Sequence, residues 1–160
     1  MPYEMKVDGM EEISEQLSRL EDRAPAVAAK ALYEGAGIMM AEIKKGAESI
    51  RTAPFKYAAN GQTRLPSPEE KDAVLSVGAG VAKFDKSGTE VNTSVGYSNT
   101  GYADVNGTRK PVPLIANAIN SGTSFMPKQP FVRKAAKSGG TKAMQAMKDA
   151  IEAEFTAMTK

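Results

Sequence analysis

The chain has 160 residues, 41% of them apolar, with few aromatics, no Trp and a net charge of +2. That length suits one domain, 1–160, whose core must be filled mainly by Ala, Val, Ile, Leu and nine Met. Cys and His are both absent, which excludes disulfides, thiol nucleophiles, Cys-based zinc sites and the commonest general base.

The first nine residues, MPYEMKVDG, have neither a basic nor an apolar signal-like region, so no signal peptide is expected. Within them Tyr3, Met5 and Val7 alternate with charged residues, which predicts a short strand over 3–8 broken by Gly9. A helix is expected from Met10 to Asp22, with Ile13, Leu17 and Leu20 on one face. Pro25 should end or kink it and begin a second helix reaching Ile50. Gly35 and Gly37 in that helix read equally as close-approach points or as tolerated defects.

Residues 51–72 hold three Pro, one Gly and many polar side chains, the marks of a long loop. Two readings stand for it, an excursion without fixed structure and a segment that orders on assembly. Phe55, Tyr57, Arg64 and Leu65 give it surface to bury against a partner. Next, Ala73–Phe84 and Glu90–Ser98 read as strands flanking a DKSG connection at 85–88, with Gly78 and Gly80 marking a bulge or bend. A second loop, 99–111, carries a short edge strand near Tyr102–Val105.

A short helix at 114–121 should stop at Gly122. Pro127 and Pro130 bracket an extended linker, and Phe131 opens the last helix, which Ser138-Gly139-Gly140 should bend or interrupt. Met144, Met147, Ile151, Phe155 and Met158 repeat at 3–4 spacing, an amphipathic stripe that reads as core or, as the second reading, as an adaptable partner surface. The expected fold is therefore α+β. A long N-terminal helix and a C-terminal helix pack on a small antiparallel sheet built around a hairpin.

Chemistry is hard to place on this framework. The GAG at 78–80 lacks the spacing of a phosphate loop. Glu69, Glu70 and Asp72 follow Pro68 as the first turn of a small helix would. Ser121, Thr123 and Ser124 have no His to activate them. No catalytic, cofactor-binding or metal-binding residues are assigned, no cofactor is expected, and the chain is read as not an enzyme. No apolar run approaches the ~20 residues of a membrane span, so no membrane partner is expected. Charge is uneven: residues 1–50 carry six basic against ten acidic side chains, and 127–160 seven against three. This reads as solvated helix faces or as complementary ends that meet head to tail. The Arg residues are scattered, which argues against base-specific DNA readout.

The connector from Leu114 to Ala136 is the most specific stretch. Gly122, Pro130 and Phe131 are its structural points, with Phe131 read as a core residue. Met126, Pro127, Lys128 and Gln129 are its candidate assembly contacts. Two blocks, Ala118-Ile119-Asn120-Ser121-Gly122-Thr123-Ser124 and Gln129-Pro130-Phe131-Val132-Arg133-Lys134-Ala135, resemble the tail-component family of long-tailed phages typified by the gene-ten product of phage HK97. Asn120 stands where that family commonly has an acidic residue, and Arg64 replaces the Gly of its Thr-Gly-x-Leu motif. The N-terminal order of strand, helix, Pro25 and long helix is similar as well.

The resemblance implies a virion structural protein of the neck or tail terminus, acting in tail completion and head–tail joining. It also implies a hexameric ring built from copies that are monomeric in solution, with neighbouring connector and tail proteins as further partners. DNA would pass through such a ring without sequence-specific contact. The implied location is the host bacterial cytoplasm during assembly, then the virion. The alternative reading is a nucleic-acid-associated accessory protein that lays its basic C-terminal helix on phosphate.

Overall fold

The computed structural model describes residues 10–59, 61–83, 85–87, 90–97 and 100–160. Four helices are described: α1 (Met10–Glu48), α2 (Pro68–Val77), α3 (Val112–Ser121) and α4 (Phe131–Thr159). Six short strands make three antiparallel two-stranded ladders. They are β1 (Gly80–Val81) with β4 (Val95–Gly96), β2 (Asp85–Ser87) with β3 (Glu90–Asn92), and β5 (Tyr102–Val105) with β6 (Thr108–Pro111). The fold is α+β, as expected. The strand expected at 3–8 lies outside the described residues.

The most extensive packing is between α1 and α4, which run antiparallel. Small residues set their separation. A Cβ on Gly46 would stand 3.0 Å from the Phe131 carbonyl oxygen, and one on Gly139 would stand 2.9 Å from Glu42 Cγ. Farther along, a Cβ on Gly35 would meet Met147 Cγ at 2.8 Å, whereas Gly37 faces open space. Gly35 thus makes room for the Met147 side chain and not for a neighbouring backbone, and Gly37 makes room for neither. Polar contacts line the same seam: Glu42 accepts from Lys142 at 3.0 Å and from Ser138 at 3.1 Å, and Lys30 pairs with Glu154.

Neither long helix ends at its expected breaker. α1 runs unbroken through Pro25. Proline there removes one i→i−4 hydrogen bond, but Val27 and Ala28 pack beside Ile151 and Phe155 of α4 around one apolar groove, and such tertiary contact outweighs a local propensity penalty. α4 likewise continues through Ser138-Gly139-Gly140. Gly139 is buried because α1 passes close to it, so this glycine makes room for a neighbouring helix.

The strand expected to begin at Ala73 is also corrected, because Ala73–Val77 are the last turns of α2. A capping box starts that helix: Ser67 Oγ accepts the Glu70 N–H at 3.2 Å, and Glu70 Oε2 accepts the Ser67 N–H at 2.8 Å. The irregular stretch after α1 therefore ends at Ser67 and not at Asp72. Asp85–Ser87, expected in a turn, belong to β2, which pairs with β3 from Asp85 opposite Asn92 to Ser87 opposite Glu90. The expected loop at 99–111 is mostly a second hairpin. Asn106 (φ 52°) and Gly107 (φ 77°) turn it between Val105 and Thr108, the two left-handed residues of a type I′ turn.

One core joins these parts. Ile43, Ala47 and Ile50 of α1 and its end meet Val74, Val105, Val112, Ile119, Met126 and Phe131. Tyr97 stands edge-on to Phe131 at 6.0 Å between centroids, and burial pushes its phenol pKa up to about 12.

Two neighbouring glycines of α4 should answer oppositely to substitution. Gly139→Val should cost about 1–3 kcal/mol by overpacking against α1. Gly140→Ala, with open space around it, should gain about 0.5–1 kcal/mol of helix propensity. Urea unfolding of the two variants beside the parent chain checks both signs.

Candidate assembly surface

After Glu48 the backbone turns at Ser49 and enters an irregular arm, 51–67, which runs beside the connector 122–130. Four interactions join them. The Arg51 N–H donates to Gln129 Oε1 at 2.9 Å, and Gln129 Nε2 donates to the Arg51 carbonyl at 3.1 Å. A carboxamide thus takes the place that a paired strand would fill. The Arg64 N–H donates to the Phe125 carbonyl at 2.7 Å, and the Arg64 guanidinium lies 5.7 Å from the Phe125 ring centroid.

Arg64 is the hub of this arm. Its two terminal nitrogens reach the Glu70 carboxylate at 2.9 and 2.8 Å, a fork-on-fork pair. Its other face lies 5.3 Å from the Phe55 ring centroid. The hydrogen bonds to Glu70 raise the Arg64 pKa, with burial working against them. For Glu70, burial alone would push the carboxyl up. The Arg64 hydrogen bond, the Ser67 N–H and the charges of Arg64 and Lys110 outweigh it and hold the group below its usual value. The residue that caps α2 therefore also holds the arm closed.

The outer surface of this assembly is aromatic. Phe55 and Tyr57 meet edge-on with centroids 5.0 Å apart, and Tyr57 is 90% exposed. Phe125 is 43% exposed and Leu114 65%. Beside Leu114 and Phe125 a cavity of about 200 Å³ is lined by these two with Arg64, Lys110, Ile115 and Met126, among others. Leu65 is half-buried.

The structure thus brings the two stretches singled out in the sequence, the 51–67 arm and the connector, against one another. Met126 is corrected: at 2% exposure it belongs to the core and offers no contact surface. Its main chain bridges Thr123, and its side chain joins the core cluster with Ile115 and Ile119. Pro127 and Lys128 are exposed, and Gln129 is occupied by Arg51. Sequence reading passed over Leu114 and Phe125 as surface residues. The i, i+3, i+4 pattern of α3 could have separated Leu114 from the buried Ile115 and Ile119.

Three connector residues have structural roles. Gly122 sits at φ 79°, its N–H donates to the Ala118 carbonyl at 2.9 Å, and a Cβ there would stand 2.9 Å from the Lys128 nitrogen. Both conformation and space require glycine. Pro130 precedes α4 and has no side chain to cap it. Asn120 does so from α3, its Oδ1 accepting the Val132 N–H at 3.1 Å. Phe131 lies in the core.

Among the described residues no group of three acidic side chains is arranged to hold a metal ion, and no helix is long and apolar enough to cross a membrane. No protein-family model matches the chain, and no curated protein and no solved structure matches it.

Removing one partner of the Arg64–Glu70 pair should loosen the arm. Glu70→Gln is expected to cost roughly 2 kcal/mol at neutral pH, below the ~3–5 kcal/mol of deeply buried pairs because Arg64 keeps some solvent access. The folded carboxyl titrates below its unfolded value, so its contribution is complete above about pH 4.3 and is lost as pH falls through the depressed folded value. Thermal unfolding between about pH 6 and pH 3 should therefore decline less steeply for Glu70→Gln than for the parent. At the cap, Asn120→Ala should cost about 1 kcal/mol. Asn120→Asp should gain about 0.5 kcal/mol, since a carboxylate suits the N-terminal end of α4; denaturant midpoints decide both.

Proposed function

We propose that this chain is a non-enzymatic virion structural protein of the phage neck or tail terminus. In this reading it acts in tail completion and head–tail joining by assembling into a ring. The observation that carries the reading is the aromatic cluster in which Phe55 and Phe125 flank the Arg64 guanidinium and the exposed Tyr57 meets Phe55 edge-on. Large exposed aromatics on a pre-ordered support are what a contact surface needs, because little entropy remains to be lost on docking. The resemblance of residues 112–155 to the phage tail-component family supports the same reading. The bonds between arm and connector give that motif a physical purpose, since the connector is the platform on which the arm rests.

The second reading has its own observation. Residues 128–148 hold six basic side chains and no acidic one, and Arg133, Lys134 and Lys137 are exposed. A nucleic-acid accessory using this face would lose DNA steeply as salt rises.

Tyr57→Ala separates surface function from folding. Its unfolding free energy should stay within about 0.5 kcal/mol of the parent. Head–tail joining, scored as infectious particles in complementation of a deletion, should fall at least about tenfold, as loss of a central aromatic anchor implies. Undiminished joining by the folded variant would overturn the assignment of this cluster to assembly.

A further inference from the structure

The α1–α4 pair is electrically two-ended. At the end of the pair where α4 finishes, residues 21–35 of α1 carry three acidic against two basic side chains. In the same end, residues 149–160 carry three against one. The other end holds the wholly basic run 128–148 together with Arg51. Exposed apolar surface is divided in the same way. Between the two helices at the acidic end lies a groove of about 170 Å³, formed by Ala24, Val27, Ala28, Ile151, Phe155 and Met158. Its lining is almost wholly apolar, and Phe155 at its edge is 45% exposed. The arm with its projecting Tyr57 leaves α1 at the basic end, roughly 30 Å of helix away from the groove. One molecule cannot bring the two together.

We infer that the groove between α1 and α4 at the acidic end is the seat for Tyr57 of a second copy. Neighbours then join head to tail, the basic end of one against the acidic end of the next. Opposite charges orient the encounter and disfavour like ends meeting. The tyrosine supplies an anchor of low conformational entropy, and the apolar walls supply the site that it desolvates. A contact between two different patches is heterologous, so it closes into a ring when its rotation allows and otherwise runs on as a filament. This inference deepens the proposed function by naming the partner of the cluster, and it rests on that reading only in taking the cluster as an assembly surface.

The parent chain has no Cys, so thiols placed by substitution report without background. Tyr57→Cys and Phe155→Cys, both at exposed positions, are prepared as separate full-length proteins and oxidised alone and mixed. Head-to-tail contact predicts that the mixed disulfide exceeds either same-variant dimer by about tenfold at low ionic strength. It should fall several-fold at about 0.5 M salt, where the charge steering is screened. Same-variant dimers forming as readily as the mixed species would overturn the inference in favour of a two-fold contact. Absence of the mixed disulfide would also overturn it. Loss of joining by Tyr57→Ala would then leave the proposed function standing on a different partner. Conversely, a strong mixed disulfide with undiminished joining would retain this contact and remove the functional reading.

Discussion

Phe131 enters the core under Gly46, where α1 carries no side chain and the carbonyl of Phe131 comes within 3.0 Å of a notional Cβ. This contact sets where α4 begins relative to α1, and much of the remaining geometry follows from it. The ring meets Tyr97, next to β4, and lies among Ile43, Ile50, Val112 and Ile119. With Phe131 fixed, Gln129 two residues earlier falls beside Arg51, just past the end of α1. The arm is thereby tied down before Arg64 and Glu70 add their pair. Larger side chains at Gly46 or Gly139 would part the helices and displace every later contact, because packed interiors have no slack to absorb such a shift.

Sequence reading served best where periodicity was long. The 3–4 spacing of Met144, Met147, Ile151 and Phe155 and the stop at Gly122 correspond to α4 and to the end of α3, but the stripe is not the core it was read as: Met144 and Phe155 are exposed, and α4 buries Phe131, Ala135, Gly139 and Ala143. It failed where two signals competed. Ala73-Val74-Leu75-Ser76-Val77 is a short apolar run that fits strand or helix, and the capping box of Ser67 and Glu70 upstream decides for helix. Asn106-Gly107 is the strongest short-range hairpin signal there is, yet its flanking strands are so polar that the stretch read as a loop. Pro25 and the Gly139-Gly140 pair are breakers by propensity. They are overridden because the two long helices bury each other, which no local window contains.

The candidate surface was legible in part. Phe55, Tyr57, Arg64 and Leu65 stand out as apolar or cationic residues in a polar, proline-rich stretch. That this stretch rests on the connector was not legible, since Arg51 and Gln129 lie 78 residues apart. Nor could the sequence tell Met126 from its exposed neighbours, because its core partners Ile115 and Ile119 lie on another element. The arm has little regular structure and yet is tied down at several points. Its main chain bonds to Gln129, to Phe125 and to itself between Ala53 and Pro66, so irregular here does not mean loose.

The bond between Gln129 and Arg51 has one further implication. The carboxamide grips the peptide unit of residue 51 and ignores what hangs from it. Any amino acid other than proline would offer the same N–H and C=O. Charge, bulk and polarity at that position can therefore drift from one lineage to another while the grip persists. Substitution at 129 has no such freedom, because few side chains present a donor and an acceptor side by side.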